Sequence, residues 1–166
     1  MLPTLRDATE ADFPEILALN AKVSQFTSLL AMDRLTSMHS VASYRKVACI
    51  DGDIVGFLIA MRAGDAYENP NFKWFTARHD LFVYVDRVVV SEACAGMKLG
   101  SLFYRDLFGY AQANDLALVA CEYYIKPPNE RSRHFHNKFG FEQVGVRVIE
   151  GTGNEVSMQV AIVAAG

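Results

Sequence analysis

The stretch VYVDRVVVSEACAGMKLGS, residues Val83–Ser101, combines a strand, a loop and the start of a helix. Residues 82–90 are nearly all apolar or aromatic, which is typical of a strand covered on both faces. The loop after it is rich in small residues, including Gly96 and Gly100, so a ligand can approach its backbone. A helix then begins with its free N–H groups and positive dipole end turned towards the loop. Such a joint is suited to hold phosphate or pyrophosphate.

The rest of the chain is typical of one globular domain, which we expect to span residues 1–166. Hydrophobic residues make up 51% and charged residues 21%, a composition without bias towards disorder. The net charge of −3 and the lack of a basic run argue against nucleic acid as the main partner. The N-terminal sequence MLPTLRDATEADFPEI has early acids and no long apolar run, so we expect neither a signal peptide nor a membrane anchor. The three cysteines form no metal-binding motif and favour a reducing, cytoplasmic location.

Hydrophobic periodicity and turn signals outline the other elements. Thr9 is the expected N-cap of a first helix that runs to about Val23, and Asp33 that of a second short helix. Asp51-Gly52 is a strong signal for a hairpin turn. Further helices are expected after the Val83–Ser101 stretch and over residues 130–138. The predicted strands are 4–7, 44–50, 54–61, 82–90, 116–124, 141–149 and 156–163.

The order strand, helix, strand from residue 82 to residue 124 implies a parallel pair with a right-handed crossover. The predicted fold class is therefore α/β, or mixed α+β. We expect a mixed sheet of about seven strands, with the parallel pair in its middle and about four flanking helices. Residues 63–80 are long for a connection, so this segment is expected to be functional or to carry a short helix.

This order of elements resembles that of the GNAT acyltransferase superfamily, whose members bind acetyl-CoA. In that family the central strand is followed by Arg/Gln-x-x-Gly-x-Gly/Ala, whose amides hold the CoA pyrophosphate. The matching positions here are residues 95–100, where Ala95 replaces the Arg or Gln and Lys98 replaces the first glycine. A later run matches the family's Asn, small residue, Tyr and Gly-Phe through Asn129, Ser132, His136, Gly140 and Phe141.

The segment with Cys121-Glu122 and Pro127-Pro128-Asn129 is similar to a subgroup of bacterial predicted acetyltransferases. The resemblance implies a splayed parallel pair, acetyl-CoA as co-substrate and acetyl transfer to an amine of a small molecule or peptide. It implies that the backbone of Val88, Val89 and Val90 polarises the thioester carbonyl and pairs with the pantetheine arm. The other cofactor-binding positions that it implies are Ala95, Gly96, Met97, Lys98, Leu99, Gly100, Ser101, Asn129, Ser132, Arg133 and His136.

A basic patch is also expected beside this joint. Residues 126–138 carry four Lys or Arg side chains against one acid, Glu130, in an otherwise acidic protein. Such an excess would attract a phosphorylated ligand. The four are Lys126, Arg131, Arg133 and Lys138.

Two carboxylates are candidates for the catalytic base, Glu122 and Asp86. Both lie in apolar strands, where a carboxylate is costly unless it is paired or lies in a cleft. Because adjacent strand residues face opposite sides, Arg87 is expected to be a poor ion-pair partner for Asp86. His136 lies at the family's tyrosine position and is the candidate proton donor. The alternative donors are Tyr104, Tyr123 and Tyr124.

The acceptor is expected to enter from the side opposite CoA. Phe72, Trp74 and Tyr84 are predicted to contact it together with Asp86 and Glu122, and Phe75 is a further candidate. Residues 28–34 are a candidate lid. The pattern predicts no metal site, and the strands near the C-terminus offer an edge for a homodimer.

Two other functions are compatible with parts of the sequence. A nucleotide-binding oxidoreductase would use Glu122, about 20 residues after the loop, to bind a ribose. That reading is disfavoured because the motif G-x-G-x-x-G and repeated strand–helix units are absent. A non-catalytic acyl-CoA-binding or sensing module on the same fold stays open, since Ala95, Lys98 and His136 depart from the family's residues.

Overall fold

A computed structural model describes residues 1–25 and 27–165 of the 166-residue chain. Within these residues, seven strands form one sheet and five α-helices flank it. The strands are β1 Thr4–Asp7, β2 Tyr44–Ile50, β3 Asp53–Arg62, β4 Phe82–Val90, β5 Leu118–Lys126, β6 Glu142–Val148 and β7 Glu155–Ile162. The helices are α1 Phe13–Ala21, α2 Met32–Val41, α3 Pro70–Thr76, α4 Leu99–Ala113 and α5 Glu130–Lys138.

The strand order is β1-β2-β3-β4-β5-β7-β6, and only β4 and β5 run parallel. The predicted mixed sheet with a central parallel pair joined through a helix is thereby confirmed. The helix beyond the four predicted is α3, in the long segment 63–80. Asn69 starts it by accepting hydrogen bonds from the N–H groups of Asn71 and Phe72, and Pro70 occupies its first turn.

Local signals placed several element boundaries correctly. Thr9 forms a capping box with Asp12 ahead of α1, with 2.8 Å between the Thr9 nitrogen and Asp12 Oδ2. The Asp51-Gly52 turn joins β2 to β3, and both residues have positive φ, as a tight hairpin requires. None of the helices in the described ranges is long and apolar enough to cross a membrane.

The helices divide between the two faces of the sheet. The first face, covered by α1, α2 and α3, buries Phe82, Tyr84 and Ala120 of the central strands. The second face, covered by α4 and α5, buries Val83 and Cys121. Successive residues of a strand point to opposite faces of the sheet, and here both faces are covered by helices. This explains why the sequences of the central strands are continuous apolar runs.

The central strands separate after a short pairing. Phe82, Val83 and Tyr84 of β4 pair with residues 118–120 of β5, and no pairing follows beyond Tyr84 in the described structure. Strand β4 continues beside β3 to Val90, whereas β5 continues beside β7. The sheet therefore opens in its middle, as the resemblance implied.

A β-bulge lies at the start of this opening. Ile59 of β3 is opposite Arg87, but the next residue, Ala60, is opposite Val85, so Asp86 is the extra residue of β4. A bulge breaks the alternation of side chains and re-aims the residue that it inserts. Asp86 and Arg87 consequently both contribute to the first face.

Candidate active site

The opening between β4 and β5 exposes a strand edge. Val88 and Val90 are half-buried, Val89 is buried, and on the β5 side their backbone groups face no neighbouring strand among the described residues. An extended ligand with amide groups can pair with such an edge as an added strand would. The predicted role of these three residues thus has a suitable geometry, and it stays a prediction.

The loop at the end of β4 is open to solvent. It contains a short 3₁₀ turn over Glu92–Cys94, and Ala95, Gly96 and Met97 are exposed. Gly96 has φ +86°, and a Cβ there would meet no atom within 4 Å. This glycine is therefore needed for its backbone conformation rather than for space.

Lys98 is the residue that precedes α4, and its φ of 58° lies in the left-handed region. A glycine adopts this conformation freely, whereas a lysine there costs roughly 1–2 kcal/mol. No side chain caps α4, so the first-turn N–H groups, which include those of Leu99, Gly100 and Ser101, are available to an anion. The strand, loop and helix start of the predicted joint are present, and its binding of an anion stays a prediction.

Gly100 has a second role that the sequence did not suggest. A Cβ built on it would lie 3.1 Å from Cζ and 3.2 Å from Cε2 of Phe135 on α5. Its lack of a side chain therefore lets α4 pack closely against α5. A substitution at Gly100 consequently affects folding as well as any contact between its amide and a ligand.

We expect Gly100→Val to lower the free energy of unfolding by about 1–3 kcal/mol, because it overpacks the α4–α5 contact. Gly109→Val on the same helix is the matched control, since a Cβ at Gly109 meets no atom within 4 Å. Urea unfolding checks both variants. Adding Phe135→Ala to Gly100→Val should recover part of the loss. If Gly100→Val lowers the free energy of unfolding equally in the Phe135 and the Phe135→Ala backgrounds, this explanation is contradicted.

Glu122 projects from β5 onto the first face, where the strands begin to separate. Its Oε1 accepts hydrogen bonds from Tyr84 Oη and from Asn71 Nδ2, both at 2.9 Å. Its Oε2 is buried and has no hydrogen-bond partner among the described residues. Burial raises the pKa of Glu122 to about 8, although the donors Tyr84 and Asn71 oppose the shift. A buried oxygen without a partner marks the position where a water or a ligand group is expected to bind.

Asp86 has a different environment. Its Oδ2 lies 2.7 Å from Arg87 Nε, and its Oδ1 accepts a hydrogen bond from Tyr67 Oη. The side chains of Asp86 and Arg87 are both 3% exposed, so this is a buried ion pair. The expectation that Arg87 would be a poor partner was wrong, because the bulge at Asp86 removes the alternation on which it rested. Both oxygens of Asp86 are therefore engaged, which leaves Glu122 as the carboxylate with a free oxygen.

Arg87 also fixes the segment that was expected to form a lid. Its Nη1 donates to Asn20 Oδ1 at 3.1 Å and to the Ser28 carbonyl at 3.0 Å. Its Nη2 donates to Ser28 Oγ at 2.9 Å. The start of residues 28–34 is thus hydrogen-bonded to the central strand next to the opening.

The aromatic residues predicted to contact the acceptor differ in burial. Phe72 and Phe75 are buried in the first-face core, where Phe72 packs against Tyr67, Phe82 and Tyr84. Trp74 is half-buried, with the Arg78 guanidinium 3.8 Å from its ring centroid. A Cβ at Gly145 would lie 2.5 Å from Trp74, so this glycine lets α3 approach β6.

His136 lies inside the second-face core rather than on the helix surface. Its Nδ1 is 2.7 Å from the Ser132 carbonyl oxygen, which can only accept, so Nδ1 carries the proton. Tyr104 Oη then donates to Nε2 at 2.7 Å. Burial lowers the pKa of His136 to about 4, so the imidazole is neutral at pH 7. This arrangement makes Nε2 an acceptor and does not favour His136 as the proton donor, a role that stays a prediction.

Two other predicted cofactor positions belong to α5. Asn129 starts this helix by accepting from the Ser132 N–H at 3.2 Å. Arg133 forms an exposed ion pair with Glu130 at 2.6 Å. Lys126 lies 3.8 Å from Glu155, so the basic patch is partly balanced by neighbouring acids. No group of three potential metal ligands is found in the described part of the chain.

Three polar residues of the site were missed by the sequence reasoning: Tyr67, Asn71 and Arg147. Asn71 is 51 residues from Glu122, and Arg147 donates to Asn71 Oδ1 across 76 positions. No periodicity or motif signals contacts of this separation. The one local hint was the Asn69-Pro70 start signal, which places Asn71 in the first turn of α3.

The family model described as "Acetyltransferase (GNAT) family" matches residues 4–141. An acetyltransferase of GNAT family from Streptococcus pneumoniae is 19% identical, with a TM-score of 0.72 and coverage of 98% of this chain and 99% of that chain. Ard1 from Thermoplasma volcanium is 16% identical, with a TM-score of 0.80 and 99% of both chains covered. For yncA from Salmonella typhimurium, a putative acetyltransferase with its cofactor acetyl-CoA, identity is 17%, TM-score 0.73, and coverage 100% and 96%. No curated protein sequence matches the chain.

Proposed function

This chain belongs to the acetyltransferase (GNAT) family, and we propose that it transfers an acetyl group from acetyl-CoA directly to an amine of a small molecule or peptide. The observation that supports this most is Glu122, a carboxylate with one free, buried oxygen beside the opening between β4 and β5. A base at this position is what an amine acceptor needs, because only the neutral amine attacks.

The residues around the opening fit acetyl-CoA. The unpaired edge of Val88–Val90 suits the amides of the pantetheine arm, and the uncapped start of α4 suits the pyrophosphate. The exposed Lys98 places an ammonium group next to that helix start. Acetyl-CoA supplies the thioester: the amine attacks its carbonyl carbon, the C–S bond breaks, and CoA leaves as the thiolate, which takes a proton from water.

Glu122 takes the proton in this proposal. Tyr84 and Asn71 hold Oε1, which leaves Oε2 to receive the amine proton, directly or through one water. The raised pKa makes Glu122 a stronger base than an ordinary carboxylate and leaves it ionised above about pH 8. Asp86, held by Tyr67 and Arg87, shapes the site without a free oxygen of its own.

Acetyl-CoA binding tests the proposal first. At 100 times its Kd, acetyl-CoA should stabilise the protein by about 2.7 kcal/mol. For a chain of this size we expect the melting temperature to rise by roughly 5–11 °C, as a thermal scan would show. No stabilisation at saturating acetyl-CoA would contradict the assignment of the opening as its site.

Thiol release with a panel of amines and peptides then separates transfer from mere binding. A transferase releases CoA faster with an acceptor than without one, and mass spectrometry finds the acetylated amine. Stabilisation by acetyl-CoA without acceptor-dependent release from any amine would instead support an acyl-CoA-binding or sensing module.

A further inference from the structure

Arg147 lies at the open end of the site, on the same face as Glu122. Across the sheet, Tyr124 of β5, Val156 of β7 and Arg147 of β6 stand in one row. The preceding row contains Glu122, so Arg147 is one step further towards the end of β5, where β4 and β5 have separated. Arg147 reaches across this face to Asn71, which also contacts Glu122.

The guanidinium of Arg147 contacts no carboxylate of residues 1–25 and 27–165. Among the described residues its one hydrogen bond is to Asn71 Oδ1, and no carboxylate lies within 4.0 Å of it. The residue is half-buried. A partly desolvated cation without a counter-ion is costly, and a guanidinium has donors for more than one acceptor. The position therefore has the capacity to bind a further anionic group.

The neighbouring charges do not balance Arg147. Asp86 and Arg87 cancel each other in their buried ion pair. Burial raises the pKa of Glu122 to about 8, so at pH 7 this carboxyl is mostly protonated and offers Arg147 little negative charge. An acceptor that arrives as a simple ammonium ion would be repelled by Arg147. An acceptor that carries an anion beside its amine would be attracted.

We propose that the acceptor is a free α-amino acid, whose carboxylate binds Arg147 while its amine meets Glu122 Oε2. This inference rests on the proposed function and names its acceptor class. Peptides would present an amide where the free amino acid has its carboxylate, so they lack the group that pairs with Arg147.

The spacing of the two groups agrees with this class. Glu122 Oε1 and Arg147 Nη1 are joined through the Asn71 amide, so these two atoms lie at most about 8 Å apart, as two hydrogen bonds and one amide group span, and Oε2 belongs to the same carboxyl group. In an α-amino acid the nitrogen and the carboxylate oxygens are about 3 Å apart, and one hydrogen bond at each end also spans about 8 Å.

The test compares the twenty common amino acids with their carboxamides in the acetyl-CoA thiol-release assay. We expect at least one amino acid to have a kcat/KM on the order of 10- to 100-fold above that of its carboxamide, since a charge-assisted contact is lost. If no amino acid has a higher kcat/KM than its carboxamide, the inference is overturned. If only other amines are acetylated, the inference fails and the proposed function stands. If no amine at all is acetylated, both fail.

Arg147→Gln provides the matched variant. For the preferred amino acid it should raise KM on the order of 10- to 100-fold, but it should change kcat/KM for the carboxamide little. Arg105→Gln removes the same charge from an exposed position of α4 and is the control. Equal losses for acid and amide in Arg147→Gln would mean that Arg147 acts only through Asn71, which contradicts the proposal.

Discussion

Replacing Glu122 by glutamine is expected to lower kcat/KM for acetyl transfer by roughly 10²- to 10⁴-fold, the usual contribution of a general base. The amide keeps an oxygen for the hydrogen bonds from Tyr84 and Asn71, so the site should keep its shape. It has no basic atom in place of Oε2. Glu142→Gln, an exposed position at the start of β6, is the control for the loss of one negative charge.

The pH dependence identifies the group directly. Because burial raises the pKa of Glu122 to about 8, the wild-type kcat/KM should rise with pH and level off above that value. The acceptor amine also titrates, so the profile is measured with acceptors whose amine pKa values differ. The limb that belongs to Glu122 stays in place across these acceptors and disappears in Glu122→Gln. If the limb persists in this variant, Glu122 is not the base.

The same shift has a consequence for stability, which is independent of any substrate. The pKa of Glu122 is about 8 in the folded protein, higher than the ordinary 4.5. The stability that the protonated Glu122 contributes to the fold is therefore fully present below about pH 4.5 and is lost as the pH rises through about 8. Glu122→Gln removes this loss. Urea unfolding at pH 5 and pH 8.5 should therefore show the variant gaining stability over the wild type as the pH increases.

Replacing Arg87 by methionine is expected to lower the free energy of unfolding by about 3–5 kcal/mol. The change leaves the Asp86 carboxylate buried without its cation and removes the donors that hold Ser28. For a chain of this size the melting temperature should fall by roughly 6–20 °C. Denaturant unfolding, followed through the single tryptophan Trp74, measures the loss.

Two further variants show whether the cause is the unpaired charge. Asp86→Asn combined with Arg87→Met removes both charges and should cost less than the sum of the single changes, because neither charge is left alone. Arg133→Met breaks an ion pair that is exposed on α5 and should leave stability nearly unchanged. If Arg87→Met changes the free energy of unfolding as little as Arg133→Met does, the buried ion pair contributes no more to stability than the exposed one.

Much of the fold followed from local patterns. The apolar run of β4, the small-residue loop and the amphipathic α4 indicated the central joint, and the Asp51-Gly52 and Thr9 signals placed element boundaries. These features depend on residues close in sequence, where periodicity and turn chemistry act. The error over Asp86 and Arg87 shows the limit, because a bulge arises from the pairing of β4 with β3 and not from β4 alone.

The candidate site could be predicted only in part. Glu122 and Asp86 were equivalent as sequence features, each an acid in an apolar strand. They differ in the structure because Tyr67 and Arg87 occupy both oxygens of Asp86, while Asn71 and Tyr84 converge on one oxygen of Glu122. Likewise, the spacing of residues 129–141 matched His136 to a family position, a match that stays a prediction, whereas its burial against Tyr104 came from the packing of α4 on α5.

The sequence by itself determined the family-level architecture, the parallel pair and the loop that suits an anion, since hydrophobic period and turn residues act over a few positions. Only the tertiary structure decided which carboxylate keeps an oxygen without a partner, and that Arg147 lies near it, joined through Asn71, with no carboxylate partner among the described residues. The physical reason is that proton affinity and charge balance depend on desolvation and on neighbours in space. In this protein those neighbours, Asn71 and Arg147 among them, are tens of residues away along the chain.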